Sequence, residues 1–522
     1  MISRKLSSLL LSASLLSFFS EPAVITAQQI GTGIPEVHPR FRTQKCTKFG
    51  GCKNQQTYLV ADSRHRAFHN TAGKIIECSA ANKTLCPDEA TCAKNCILEG
   101  VEYGSLGVLA SDTAVTLRNY IFDGKEHKGV SPRVYLLAED GEKYEPIKLL
   151  NQEISFQVDA SNIGCGMNGA LYLSEMDFSG GKSKLNPAGA MYGTGYCDAQ
   201  CPQSDFINGL VNLNSSGACC SEMDIWEANS RATTMTSHPC NHTGPFTCNG
   251  EEECLNKGGK GVCSRKGCGI NPFRLGAPEF YGNGDKHKVD TSRPFTVVTR
   301  FLTDDNSTDG ALSEIRRIYV QDGNMIPSTS VSNIKALNKA NISPSGGKFE
   351  GALTEGYCNA RDFGDHAQMD GLKTMGEALG RGMVMVFSIW NSKADSMQWL
   401  DAGQNGPCQD GEGKPAKIAQ KTPDVTVTFS NIRWGDIGST AQHKNTLLAD
   451  SLRTVSLGQQ PSATAHMALD LLAPGLNDTS AASYSNTSKV TLPRSALLGR
   501  RTSTFTTRKP PQGLSSSDHG AE

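Results

Sequence analysis

Net charge is almost missing from this chain: 51 Lys and Arg stand against 52 Asp and Glu, leaving −1 over 522 residues. A balance of that kind supplies neither the basic stripe of a nucleic-acid binder nor the polybasic face of a membrane-surface protein. Beyond the N-terminal segment no apolar run is long enough to span a bilayer, which excludes a bundle of membrane helices. No segment recurs at the period of a propeller blade or solenoid unit. Helix-period patterns are few, and residues 371–379 carry the best of them. Tryptophan is scarce at four copies, and no cysteine follows Cys408.

Cysteine is plentiful where it does occur. Eighteen lie between Cys46 and Cys408, an even number that predicts nine disulfides and an oxidising compartment. Arg4 and Lys5 precede an apolar run over 9–19, and Ile25-Thr26-Ala27 offers a small-residue cleavage point before Gln28. Residues 1–27 therefore read as a secretory signal peptide, since Glu21-Pro22 interrupts any membrane anchor. Zinc at pairs such as Cys197 and Cys201 or Cys219 and Cys220 is the weaker reading, because an exported chain keeps few thiolates. Seven N-glycosylation sequons, at Asn82, Asn214, Asn241, Asn306, Asn341, Asn477 and Asn486, suit the same extracellular destination.

Between Cys46 and Ser439 short β-branched and aromatic segments alternate with Gly, Asn and Asp clusters. Strands are predicted over 134–137, 153–158, 295–301, 383–389 and 425–429. The fold class is accordingly all-β, as one large two-sheet sandwich with loops fixed by disulfides. After Ser439 the texture turns to Ser, Thr, Ala and Gly, which predicts a disordered tail over 441–522 with a helical turn at 467–472 at most. That tail has no cysteine with which to build a small disulfide-linked binding module, so 28–440 must hold any substrate itself.

The richest chemistry sits in Ser221-Glu222-Met223-Asp224-Ile225-Trp226-Glu227-Ala228-Asn229, three carboxylates within six residues directly after Cys219 and Cys220. Like charges held a few ångströms apart raise one another's pKa, a cost that a site needing both a proton donor and an anion puts to use. Glycoside hydrolysis is such a site, and its retaining form sets a nucleophilic carboxylate about 5 to 5.5 Å from a carboxylic acid. Along a regular strand Glu222 and Asp224 share a face while Glu227 falls on the other. One β-bulge between Asp224 and Glu227 restores the parity, and that bulge is predicted. A solvated acidic strand fits poorly around Ile225 and Trp226, and a carboxylate metal site wants more oxygen ligands than the neighbourhood supplies.

The order of several blocks resembles glycoside hydrolase family 7, the cellobiohydrolases and endo-β-1,4-glucanases, over residues 28–439. The blocks are Gly31-Thr-Gly-Ile-Pro-Glu-Val-His-Pro-Arg40, Leu85-Cys-Pro-Asp-Glu-Ala-Thr-Cys-Ala-Lys-Asn-Cys96, Gly193-Thr-Gly-Tyr-Cys-Asp-Ala-Gln-Cys-Pro202, the acidic run itself and Phe429-Ser-Asn-Ile-Arg-Trp-Gly-Asp-Ile-Gly438. The resemblance implies a concanavalin-like β-jelly-roll sandwich and a retaining mechanism. In it Glu222 would be the nucleophile, Glu227 the acid and base, Asp224 a partner that tunes Glu222, and His238 a histidine beside the acid. It further implies sugar platforms at Trp390 and Trp399, cleft contacts at Tyr172, Tyr196, Asp198, Gln200 and Arg274, and the bridges Cys165 to Cys408 and Cys268 to Cys358. Trp226 and Trp434 read as structural.

Departures from the processive members point to an open, endo-acting cleft. The 201–219 segment is short, Asn405-Gly406-Pro407-Cys408 carries no arginine, and His65 and Ala67 stand where two tryptophans would meet an incoming chain. Against this, 240–268 keeps a loop with extra cysteines at 248, 254 and 263, which favours partial enclosure and the cellobiohydrolase alternative. A non-catalytic glucan-binding protein is the rival from another class. No cofactor or metal is expected. The expected partner is cellulose or a related β-glucan, with no nucleic acid and no membrane, and the chain is expected to be monomeric.

Overall fold

The computed structural model describes residues 30–329, 351–361 and 363–441. The expected signal peptide, the sequons at Asn341, Asn477 and Asn486, and the expected tail from 442 onward with its helical turn lie outside the described residues.

Period-two hydrophobic segments assemble into two large sheets. The sheet that carries the site has seven strands: β1 (Tyr58–Ala61), β2 (Arg133–Leu137), β3 (Asn168–Ser174), β4 (Glu222–Ala228), β5 (Thr233–His238), β6 (Cys268–Ile270) and β7 (Val384–Trp390). They run in the order β6-β5-β4-β3-β7-β2-β1, and every neighbouring pair is antiparallel. The second sheet has ten strands, among them Gln152–Asp159, Phe295–Thr303, Leu312–Gln321 and Thr426–Asp436. All five segments predicted as strands fall on these elements, with bounds within two residues except for 425–429, whose strand runs on to Asp436.

Alternation explains why the sheets stack. Leu171 and Leu173 of β3 and Met385, Phe387 and Ile389 of β7 point to the interior, where they meet Ile154, Phe156, Val158, Val427 and Phe429 of the second sheet. Burying each such side chain contributes about 1.5–3 kcal/mol. The intervening residues face the other way: Ala170 and Tyr172 join Val60, Tyr135, Leu137, Val384 and Val386 in a separate buried cluster that floors the site.

The predicted helix at 371–379 is α1 (Gly371–Arg381), whose Leu372, Met375 and Leu379 are buried against Leu312–Gln321. Gly376 permits that approach, since a Cβ there would come within 2.6 Å of the Leu312 Cβ. The eighteen cysteines form nine disulfides with none free, including Cys165–Cys408 and Cys268–Cys358. In the second sheet the opening strand Thr43–Thr47 lies parallel to Thr426–Asp436, with Gln44 opposite Arg433. Thr440 is buried there, donating its N–H and hydroxyl to Glu153 Oε1 at 2.9 and 2.7 Å, while Arg300 Nε donates to Glu153 Oε2 at 2.9 Å.

Candidate active site

The geometry begins with β4. Its pairing with β5 shifts register between Asp224 and Glu227, where the bulge was predicted. The consequence is visible in the interior: Ile225 and Trp226, consecutive in the chain, both lie in the core. Trp226 sits edge-on to Phe429 at 5.7 Å and to Phe156 at 6.5 Å. The extra residue leaves Glu222, Asp224 and Glu227 on the outer face together, across from His238, Thr236 and Thr234 of β5 respectively. On the other side Glu227 faces Ala170 and Glu222 faces Ser174 of β3.

Each acid has its own partners. Glu222 Oε2 accepts from Ala199 N at 3.3 Å. Asp224 Oδ2 lies 3.1 Å from His238 Nε2, and His238 Nδ1 lies 2.8 Å from Ser264 O. Glu227 Oε1 accepts from Asn168 Nδ2 at 2.8 Å. Glu222 and Asp224 are buried, whereas Glu227 is only partly so. Burial, followed by the charge of Asp224, raises Glu227 to about 8, and burial with the charges of Asp224, Asp198 and Glu227 lifts Glu222 well above the usual carboxylate range. At neutral pH the pair of glutamates therefore keeps at least one proton. Burial opposes the charge on His238, but the bond to Asp224 outweighs it with help from Ser264 and Glu227, and the ring is raised to about 9. An imidazolium clamped to Asp224 thus offsets part of the cluster's charge.

A polar wall continues from Glu222. Tyr172 and Tyr196 hydroxyls meet at 2.9 Å, Tyr196 donates to Asp198 Oδ2 at 2.6 Å, and Gln200 N donates to Asp198 Oδ1 at 2.8 Å. Gln200 Nε2 is spent on Arg265 O at 2.8 Å. The Arg133 guanidinium covers the Tyr196 ring at 3.2 Å and is held by Asp62, which also accepts from Tyr135 at 2.7 Å. At the opposite end Trp390 closes β7 directly across from Asn168, and Trp399 rises on the short helix α2 (Gln398–Asp401). Their rings lie 6.4 Å apart at 29°, and Trp399 keeps 40% of its surface exposed. Arg274 is exposed in the turn after β6, beside Asn271, whose amide donates to Leu400 O and Asn405 O at 3.3 and 2.9 Å.

The predicted residues thus divide into an acid cluster, a tyrosine and aspartate wall, and an indole platform. Asn168, Arg133, Asp62 and the Ala199 amide were not anticipated. Asn168 left a faint mark, a carboxamide opening an otherwise apolar strand; the amide left none, since any residue carries one. Among the described residues, groups with ligating atoms close enough for a metal are Cys78, Cys86 and Cys96; Cys201, Cys219 and Cys248; and Cys165, Cys408 and Glu412. Every one of those cysteines is in a disulfide and has no thiolate to offer.

The family model described as Glycosyl hydrolase family 7 matches residues 30–441. The chain belongs to that family. Among its family 7 relatives is the endo-beta-1,4-glucanase celB of Aspergillus oryzae, 51% identical over 424 residues that span 80% of this chain and 97% of the relative. The native endocellulase EGI structure of Humicola insolens superposes with a TM-score of 0.73 at 44% identity, covering 79% of this chain and 100% of that one. A family 7 cellobiohydrolase structure from Daphnia pulex reaches a TM-score of 0.72 at 34% identity, over 79% and 100%. The backbone is therefore common to both modes, while identity is higher to the endocellulase. Among the described residues no helix is long and apolar enough to cross a membrane.

Proposed function

We propose that this family 7 glycosidase is an extracellular, retaining endo-β-1,4-glucanase acting on cellulose or a related β-glucan. The observation that carries the reading is the bulge that puts Glu222, Asp224 and Glu227 on one face with unlike partners. Glu222 attacks the anomeric carbon and displaces the glycosidic oxygen, which Glu227 protonates. The sugar is then esterified to Glu222. Glu227 then takes a proton from an entering water, whose oxygen attacks the anomeric carbon; the bond to Glu222 breaks, Glu222 leaves as carboxylate and the sugar is released with its original configuration. Asp224, paired with His238, holds a second carboxylate near Glu222 without adding full charge. Trp390 and Trp399 present π-faces to the axial C–H bonds of pyranose rings on either side of the scissile bond. Tyr172, Tyr196, Asp198, Gln200 and Arg274 line the remaining cleft.

The endo mode is supported by the names of the celB relative and the Humicola insolens endocellulase above and by His65 and Ala67 in place of an entrance platform. The Cys240–Cys263 and Cys248–Cys254 bridges brace the one loop that favours the exo alternative. We further infer a leader over 1–27, a catalytic domain over 28–440 and an appended tail. The protein is expected to thin carboxymethylcellulose sharply for each reducing end released, and to give the β-anomer first by NMR. Glu222→Gln is expected to lose activity by a factor on the order of 10⁴ or more. An α-anomer first, or cellobiose release without thinning, sinks the retaining or the endo part respectively.

A further inference from the structure

Two residues after Trp399, Asp401 closes α2 with its carboxyl group turned inward and 1% exposed. Its Oδ2 accepts from Gly166 N at 2.8 Å and from Asn229 Nδ2 at 2.7 Å. Both donors belong to segments that touch Glu227. Asn229 lies just past the end of β4, and its Nδ2 also donates to Met167 O at 2.9 Å while its Oδ1 accepts from the N–H groups of Arg231 and Ala232. Gly166 leads through Met167 to Asn168, which donates to Glu227 Oε1 and accepts from Ala228 N at 3.1 Å. Gly166 also follows Cys165, and Cys408 across that bridge donates its N–H to Asp401 O at 2.9 Å.

One carboxylate thus fastens three things: the helix that carries the exposed indole, the turn that leaves β4, and the segment that delivers Asn168. Burial pushes Asp401 up to about 6 against those two donors. A buried acid held at that cost marks a place where one acceptor must serve two N–H groups.

We propose that Asp401 is a positioning residue for the proton donor, fixing Glu227 through Asn229 and Asn168 and tying the Trp399 platform to the same frame. The inference rests on the reading of Glu227 as the acid. A displaced acid costs most where the leaving group needs its proton, so leaving-group dependence separates misplacement from general damage.

The test compares kcat/KM for two aryl β-cellobiosides, one releasing 2,4-dinitrophenol and one releasing phenol, in the full-length oxidised protein. In Asp401→Ala the phenyl substrate is expected to lose about 10- to 100-fold more than the dinitrophenyl one. Asp401→Asn keeps an oxygen for both donors and is expected to recover most of that ratio, with about threefold remaining for the lost charge. Adding Asp401→Ala to Glu227→Gln is expected to change the ratio no further, because the effect runs through the acid. Equal losses on both substrates, or an additive double variant, overturn the proposal. If Asp401→Ala does not fold, an unchanged ratio in Asp401→Asn overturns it. Glu227→Gln on its own is the control for the underlying reading: if it slows both substrates alike, the acid assignment fails and not the positioning role.

Discussion

The proton count of Glu222, Glu227 and His238 has a sign that a melting curve reads. Glu227 moves from 4.5 to about 8 on folding and Glu222 moves in the same direction, so the folded protein holds protons that the unfolded chain releases above 4.5. His238 moves from 6.5 to about 9, and its stabilising charge is complete below 6.5 and lost as the pH rises through 9. All three therefore make stability fall as pH rises across that window. The melting temperature is expected to decline steadily from about pH 5 to about pH 9, and Glu227→Gln is expected to melt above the native protein near pH 8. A flat or rising profile in scanning calorimetry is the contrary result. Such arithmetic was not available from the sequence, where spacing foretold the clustered acids and the family resemblance implied Glu222 as nucleophile and Glu227 as acid. Both are raised here, because burial acts on the two alike before any saccharide is bound.

At the scale of elements, the bulge in β4 makes Trp226 interior and Glu227 outward at once. Trp226→Ala should cost about 3–5 kcal/mol by urea unfolding, as a full indole leaves the ring cluster with Phe156 and Phe429. Trp399→Ala acts on an exposed ring and is expected to leave that stability nearly unchanged while raising KM for cello-oligosaccharides about fivefold. The two variants separate core from platform. Much of this was legible in the residues: parity along β4 demanded the bulge, and alternation marked the strands on both sides of it. Helix α2 was not legible, since the four residues Gln398–Asp401 carry too little period to announce a helix. Nor was the role of Asn168, whose partner Glu227 is 59 positions away and joined to it only by sheet register.

For the whole molecule, Thr440 ties the last described residues to the second sheet. Ending the chain after Ala441 keeps both of its bonds to Glu153 and is expected to retain the native urea midpoint and activity on carboxymethylcellulose. Ending it after Gly438 strips Glu153 Oε1 of two donors while Arg300 still holds Oε2, at about 1–3 kcal/mol. Equal midpoints for the two truncations would remove Thr440 from the account of the fold. The sandwich itself was readable from composition and turn punctuation, but its edges were not, because pairing of distant strands leaves no local signal.

The parallel contact between Gln44 and Arg433 also carries a cost in time. Its two halves are roughly 390 residues apart in synthesis, about 20 to 80 s at ordinary ribosome speeds. For roughly the second half of that interval the acids of β4 already exist while the sheet meant to back them lacks its closing member. The nascent chain must be guarded from self-association until that strand emerges.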